Sequence, residues 1–157
     1  MNATAEKRPV DGQKAVGSII RQLRTLNSEM QLQQADILMI IAQQPGITVS
    51  DLQKKADLSQ SAVSRNVVAL SKWKAPGVPG FDLVETIKDP REPRRNICFL
   101  TTAGKSFMTK LVRSIEPDFS IDKDTDARVA VDQFHEQAAR EATAQREQDK
   151  KLVKAKR

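Results

Sequence analysis

Gln60, Ser61, Ser64, Arg65 and Val68 recur at the spacing that lines up side chains along one face of a helix. On the opposite side stand Val63, Val67 and Leu70, so the polar set is expected to face outward. An arginine there can donate two hydrogen bonds to guanine O6 and N7, and a glutamine can pair with adenine N6 and N7. Val68 offers an apolar contact to a thymine methyl, and the short side chains of Ser59, Ser61 and Ser64 let the backbone come close to a groove floor. Lys72 adds charge at the far end. A second set of cations follows in Asp89-Pro90-Arg91-Glu92-Pro93-Arg94-Arg95, where Arg91, Arg94 and Arg95 are long enough to reach phosphates or an adjacent minor groove. By itself that run reads equally well as a solvated turn; following the helical set, it reads as a phosphate contact.

These residues need elements to hold them. Residues 1–13 carry Pro9, Gly12 and several charges and read as a disordered arm. From Lys14, the stripe Val16, Ile19, Ile20, Leu23, Leu26 and Met30 predicts a first helix. Leu32 to Gln44 predicts a second, apolar on most sides and therefore buried, ended by Pro45-Gly46. Thr48 caps a third, with Asp51 at the reciprocal capping position and Leu52, Ala56 and Leu58 inward. Ser59 caps a fourth over residues 60–73, and the tight Ala56-Asp57-Leu58-Ser59 connection makes the pair a helix-turn-helix. Residues 74–82, with Pro76, Gly77, Pro79 and Gly80, read as irregular, and Trp73 as a cover for the end of the fourth helix. Leu83 to Lys88 and Asn96 to Leu100 predict the two strands of a hairpin, a wing over residues 83–100. A capped helix from Thr101 or Thr102 to Ile115 completes a domain over residues 14–115. An acidic linker, 116–126, leads to a charged helix over 127–157 with an apolar stripe at Ala127, Val131, Phe134, Ala138 and Ala142. The fold class is mainly α with a small β-hairpin wing, a winged helix-turn-helix flanked by N- and C-terminal helices.

Leu58-Ser59-Gln60-Ser61-Ala62-Val63-Ser64-Arg65 resembles the recognition-helix opening of the multiple-antibiotic-resistance regulator (MarR) family. Leu83-Val84-Glu85, the tip from Asp89 to Arg94, and Leu100-Thr101-Thr102-Ala103-Gly104 resemble its wing. The family's tip has an Asp, any residue, then an Arg, with Leu-Thr six and seven residues later. Here Glu92 stands for the acid, Arg94 is the Arg, and Leu100-Thr101 follow at that distance. The resemblance implies that Glu92 braces the wing through Arg94 while Arg94 meets DNA. It covers Leu32 to Leu111, with two departures. The connection from Trp73 to Leu83 is longer than usual, and the segment after Glu116 does not match the usual dimerisation pattern.

The chain has 157 residues, 39% of them hydrophobic and 4% aromatic, with no tyrosine, which disfavours a large β-sandwich. Its net charge of +6 suits a polyanion, whether nucleic acid, anionic membrane or acidic protein. No targeting or membrane segment stands out, and a lone cysteine, Cys98, fits a reducing, cytoplasmic setting. Cys98 reads as a small core residue rather than a peroxide sensor, for it has no second cysteine to resolve a sulfenic acid. His135, isolated, is a poor metal ligand. No nucleophile with a base and no phosphate-cradling loop occurs, so neither an enzyme, a metal nor a cofactor is expected.

The function expected is a sequence-specific regulator of transcription that binds double-stranded DNA as a homodimer. The first helix and the 127–142 stripe are the candidate interface. Two rivals keep the fold: a protein-interaction module, such as an anti-repressor or replication accessory protein, and a non-specific DNA coat. Small-molecule effectors are common in the resembled family, but no residue here identifies one.

Overall fold

The computed structural model describes residues 11–28, 30–121, 129, 136, 140, 141 and 143–152. Helix α1 spans Gly12–Leu26, two residues ahead of the predicted start, because the Asp11 side chain accepts from the Lys14 N–H and caps it. Ala15 is its one buried residue, with Ile19, Leu23 and Leu26 packed partly on the core and Val16 and Ile20 more than half exposed. Helix α2, Leu32–Gln43, buries Ala35, Ile37, Leu38 and Ile41 and so runs through the centre, as its all-round apolar surface requires.

A two-residue strand β1, Ile47–Thr48, leads into α3, Val49–Ala56. The Thr48 hydroxyl accepts from the Asp51 N–H at 3.0 Å and donates to the Asp51 carboxylate at 2.8 Å. Asp57, in the left-handed conformation at φ 51°, turns the chain toward α4, Gln60–Leu70. Strands β2, Trp73–Ala75, and β3, Val78–Pro79, follow, then β4, Val84–Lys88, β5, Asn96–Leu100, and α5, Thr102–Val112. Strand β5 lies between β1 and β4 in an antiparallel sheet, with Ile47 opposite Cys98 and Val84 opposite Leu100. Its central place buries every residue from Ile97 to Leu100.

One apolar core joins these parts, with Ile37, Leu38, Ile41, Leu52, Val63, Leu70, Val84, Cys98 and Leu111 fully enclosed. A fully buried Leu or Ile contributes roughly 1.5–3 kcal/mol, so the helix-turn-helix and the wing stem are held by a shared interior. Gly104 packs its bare Cα on the Leu83 carbonyl, where a Cβ has no room, and the Thr101 hydroxyl donates to the Asp82 carbonyl at 2.6 Å. Those contacts join the start of α5 to the stem of the wing.

The segment predicted to be irregular, 74–82, instead contains the β2–β3 hairpin, with Ala75 opposite Val78 across Pro76-Gly77. Proline ahead of a glycine at φ 73° is the residue pair that a two-residue reversal demands. Helix α4 is also shorter than the expected 60–73. It stops at Leu70, where Ser71 adopts an extended conformation and its hydroxyl donates to the Val67 carbonyl at 2.8 Å. Lys72 and Trp73 therefore lie off the helix, and Trp73, 57% exposed, does not cover its end. That role falls to the backbone of 80–83. The N–H groups of Phe81 and Leu83 donate to the carbonyls of Ala69 and Leu70, satisfying acceptors a helix end leaves open.

The chain divides into two compact units, 1–123 and 124–157. In the second, the described residues are helical. Residues 1–10 of the expected arm, His135 and the whole stripe Ala127, Val131, Phe134, Ala138 and Ala142 lie outside the described residues.

Candidate nucleic-acid interface

The first turn of α4 is organised by Ser59, whose hydroxyl accepts from the Ala62 N–H at 3.2 Å and lies 3.2 Å from the Ser61 hydroxyl. Val63, Asn66, Val67 and Leu70 are buried, which fixes the rotation of the helix about its axis. Ser59, Gln60, Ser61, Ser64 and Arg65 are consequently exposed, and Val68 is 41% exposed. Burial of the apolar stripe alone thus aims Gln60, Arg65 and Val68 outward together.

The wing tip is closed by its own backbone. Asp89 donates its N–H to the Arg95 carbonyl, Glu92 to Asp89 and Arg95 to Glu92, while the Asp89 carboxylate accepts from the Arg91 N–H at 2.9 Å. With Pro90 and Pro93 fixing two φ angles, the loop loses little entropy when it is ordered against a partner. Arg91, Arg94 and Arg95 are all exposed. The acid–base pair differs from the one the resemblance implied: Glu92 holds Arg95, Oε2 to Nε at 2.8 Å, rather than Arg94. The turn bond from the Arg95 N–H to the Glu92 carbonyl stacks those two residues on one side. Both side chains are about half exposed, so the pair contributes no more than about 1 kcal/mol to stability.

Two grooves border α4. On the wing side, Arg94, Arg95 and Asn96 face Gln60 and the opening of α3, where Thr48, Val49, Ser50 and Gln53 line the wall. The N-terminus of α3 turns a positive dipole end toward that groove, with its Asp51 N–H capped by the Thr48 hydroxyl. The Asp51 carboxyl nearby is held below its ordinary range, first by the Thr48 hydroxyl, then by Lys54, with a smaller pull from Arg95. On the other side, Ser64, Arg65, Val68 and Ala69 face Lys74, Ala75 and Val78 of the β2–β3 hairpin. Ser50, Gln53, Lys74 and Val78 were not among the sequence-predicted contacts; the Ala75-Pro76-Gly77-Val78 turn was the available signal for the hairpin pair.

Cys98 lies fully buried in β5 opposite Thr86. Burial pushes its thiol up to about 11, against a smaller lowering by the Thr86 hydroxyl, so it stays protonated and is a core group. Among the described residues, no group of three His, Cys, Asp or Glu side chains could hold a metal ion, and no helix is long and apolar enough to cross a membrane.

Two helices, a capped helix-turn-helix and an antiparallel wing, in that order, define a winged helix-turn-helix protein. The MarR family model matches residues 28–74, which is α2 through the start of the first hairpin. Among solved structures, RV1404 from Mycobacterium tuberculosis is similar at 17% identity over 85% of this chain and 80% of its own, with a TM-score of 0.53. AbfR in a disulfide-bonded form is similar at 14% identity over 85% and 84%, with a TM-score of 0.50. A structure of MarR matches at 22% identity over 84% and 98%, with a TM-score of 0.49. No curated protein matches the chain. The chain shares its winged helix fold with the RV1404 and AbfR structures, and its residues 28–74 match the MarR family model.

Proposed function

We propose that this chain is a cytoplasmic, sequence-specific regulator of transcription that binds double-stranded DNA as a homodimer on a two-fold site. One observation carries the reading: α4 buries Val63, Asn66, Val67 and Leu70 and leaves Gln60, Ser61, Ser64, Arg65 and Val68 outward beside a cationic wing. The net charge of +6 raises the encounter rate with a polyanion. In the docked state α4 enters the major groove, where Arg65 donates a forked pair of hydrogen bonds to a guanine and Gln60 pairs with an adenine. Val68 packs on a thymine methyl. Phosphates on the wing side are held by Arg94 and by the N–H groups opening α3, and these contacts set register rather than sequence. Glu92 keeps the Arg95 guanidinium in one orientation so that less freedom is lost on contact. Arg91 and Lys72 meet the outer backbone.

Dimerisation is supported by α1. Val16 and Ile20 sit one turn apart and are more than half exposed, and Ile115, after α5, is 52% exposed. A hydrogen-bonded cluster of Ser18, Gln22 and Ser114 ties the two elements together, so these apolar residues move as one surface.

The test is a mobility-shift selection on random genomic fragments, followed by sequencing of the bound pool. A two-fold motif enriched in that pool is the expected result. Binding with no enriched motif assigns the protein to non-specific coating, and no binding at all rejects DNA in favour of a protein partner.

A further inference from the structure

The β2–β3 hairpin is joined to the recognition helix more closely than a loop would be. The Gly80 N–H donates to the Lys72 carbonyl at 3.0 Å, and the Phe81, Asp82 and Leu83 N–H groups return to Ala69, Ser71 and Leu70. Gly80 passes so near the carbonyls of Ser71 and Ala69 that a Cβ there would collide with both. The hairpin therefore keeps a set position beside α4, and the groove between them is a built feature of the surface.

An α-helix with its side chains is about 10–12 Å across, and the major groove is about 12 Å wide. Once α4 fills that groove, a strand pair alongside it has no room there and must lie over one sugar–phosphate backbone. The groove carries the chemistry for such a strand. Ala69, Ala75 and Val78 make an apolar wall suited to deoxyribose, and Lys74 supplies a cation for the phosphates, while Arg65 and Val68 on the α4 side of the groove stay turned to the bases. Between Lys72 and Phe81 the only charged residue is Lys74, so the hairpin presents one cation and no acid to a backbone strand.

We propose that the β2–β3 hairpin is a second wing, and that one DNA backbone strand runs between it and α4 while the β4–β5 wing holds the strand across the major groove. The inference rests on the DNA-binding reading above. In it, Lys74 is a phosphate contact, Val78 packs on the sugar, and the recognition helix is gripped from both sides. A phosphate contact at Lys74 is independent of base sequence. Its loss lowers affinity without altering the preferred site.

The experiment compares the intact protein with Lys74→Ala, Val78→Glu and Arg94→Ala on the motif recovered from the genomic pool. Hydroxyl-radical footprints and salt titrations are the readouts, with circular dichroism melts to verify folding. The intact protein should protect two backbone patches per half-site, one on each strand bordering the major groove. Lys74→Ala should lose the patch on the hairpin side and flatten the slope of log affinity against log salt by about 0.9. From about 50 to about 200 mM salt, the advantage of the intact protein over Lys74→Ala then shrinks about 3.5-fold. Val78→Glu, a carboxylate set against phosphate, should weaken binding further, and Arg94→Ala should lose the opposite patch. If Lys74→Ala and Val78→Glu keep the normal footprint and salt slope while Arg94→Ala loses affinity, the hairpin stands off the DNA and the inference is overturned with the function intact. If the intact protein leaves no footprint on any fragment, the DNA-binding reading itself falls, and the second wing with it.

Discussion

Replacing Gly80 by Ala tests whether the hairpin is fixed to the recognition helix. A Cβ at that position would fall 2.7 Å from the Ala69 carbonyl oxygen and closer still to that of Ser71. Both obstacles are backbone, so relief requires the 80–83 segment to move away from α4. The Gly80 to Lys72 and Phe81 to Ala69 bonds, each 3.0 Å, are the first to lengthen. At about 0.5–1.5 kcal/mol net for each hydrogen bond, their loss costs about 1–3 kcal/mol. With a denaturant slope of roughly 2 kcal/mol per molar urea, a loss of about 2 kcal/mol lowers the unfolding midpoint by about 1 M. Gly17→Ala supplies the contrast. Its Cβ would meet only the flexible guanidinium of Arg21, at 3.4 Å, in the interior of α1. Alanine there should stabilise by about 0.5–1 kcal/mol. A Gly80→Ala midpoint within about 0.2 M of the parent protein would refute the close approach and the fixed hairpin with it.

The fold prefers the neutral Cys98 thiol, so its stabilising effect is full below about pH 9 and declines as pH rises toward 11. Urea midpoints measured from pH 8 to 11 should show a loss on the order of 2 kcal/mol that Cys98→Ala abolishes; identical slopes for the two proteins would contradict the buried, protonated thiol. Glu92→Ala, freeing Arg95, should weaken DNA binding by up to about fivefold in a fluorescence-anisotropy titration, although a negative charge has left the surface. Tighter binding would mean that Glu92 acts only as a repulsive acid. Val16→Glu with Ile20→Glu should give a monomer in sedimentation velocity, whereas a dimer unchanged by two charges on α1 would move the interface elsewhere.

The elements that self-contained local chemistry defines were readable in the sequence. Thr48, Ser59 and Thr101 each place a hydroxyl three residues ahead of the N–H it accepts from, and all three cap helices. The β5 strand, Asn96–Leu100, keeps its predicted bounds because the turn residues before it and the capping Thr101 after it leave no choice. The hairpin at 73–79 was missed because Pro76, Gly77, Pro79 and Gly80 were read as interruptions. Pro76-Gly77 is instead a two-residue turn, and the pairing of its flanks depends on where the end of α4 holds the segment. The choice of Arg95 over Arg94 as the partner of Glu92 was equally hidden. It follows from the turn bond between the two backbones, and no side-chain spacing encodes that. The outward face of α4 was legible from Val63, Val67 and Leu70, while the buried Asn66 between them was not, since a polar residue at that spacing gives no sign of facing inward.

Docking of α4 in the major groove is tested most directly by Arg65→Ala, titrated against the recovered motif and against a scrambled duplex of equal length. If Arg65 reads a base, the substitution costs about 1–3 kcal/mol on the motif and relaxes the preference at a single position in a repeated pool selection. The loss on scrambled DNA should be much smaller. Equal losses on both duplexes would make Arg65 a phosphate contact alone, and no loss on either would contradict the docking of α4.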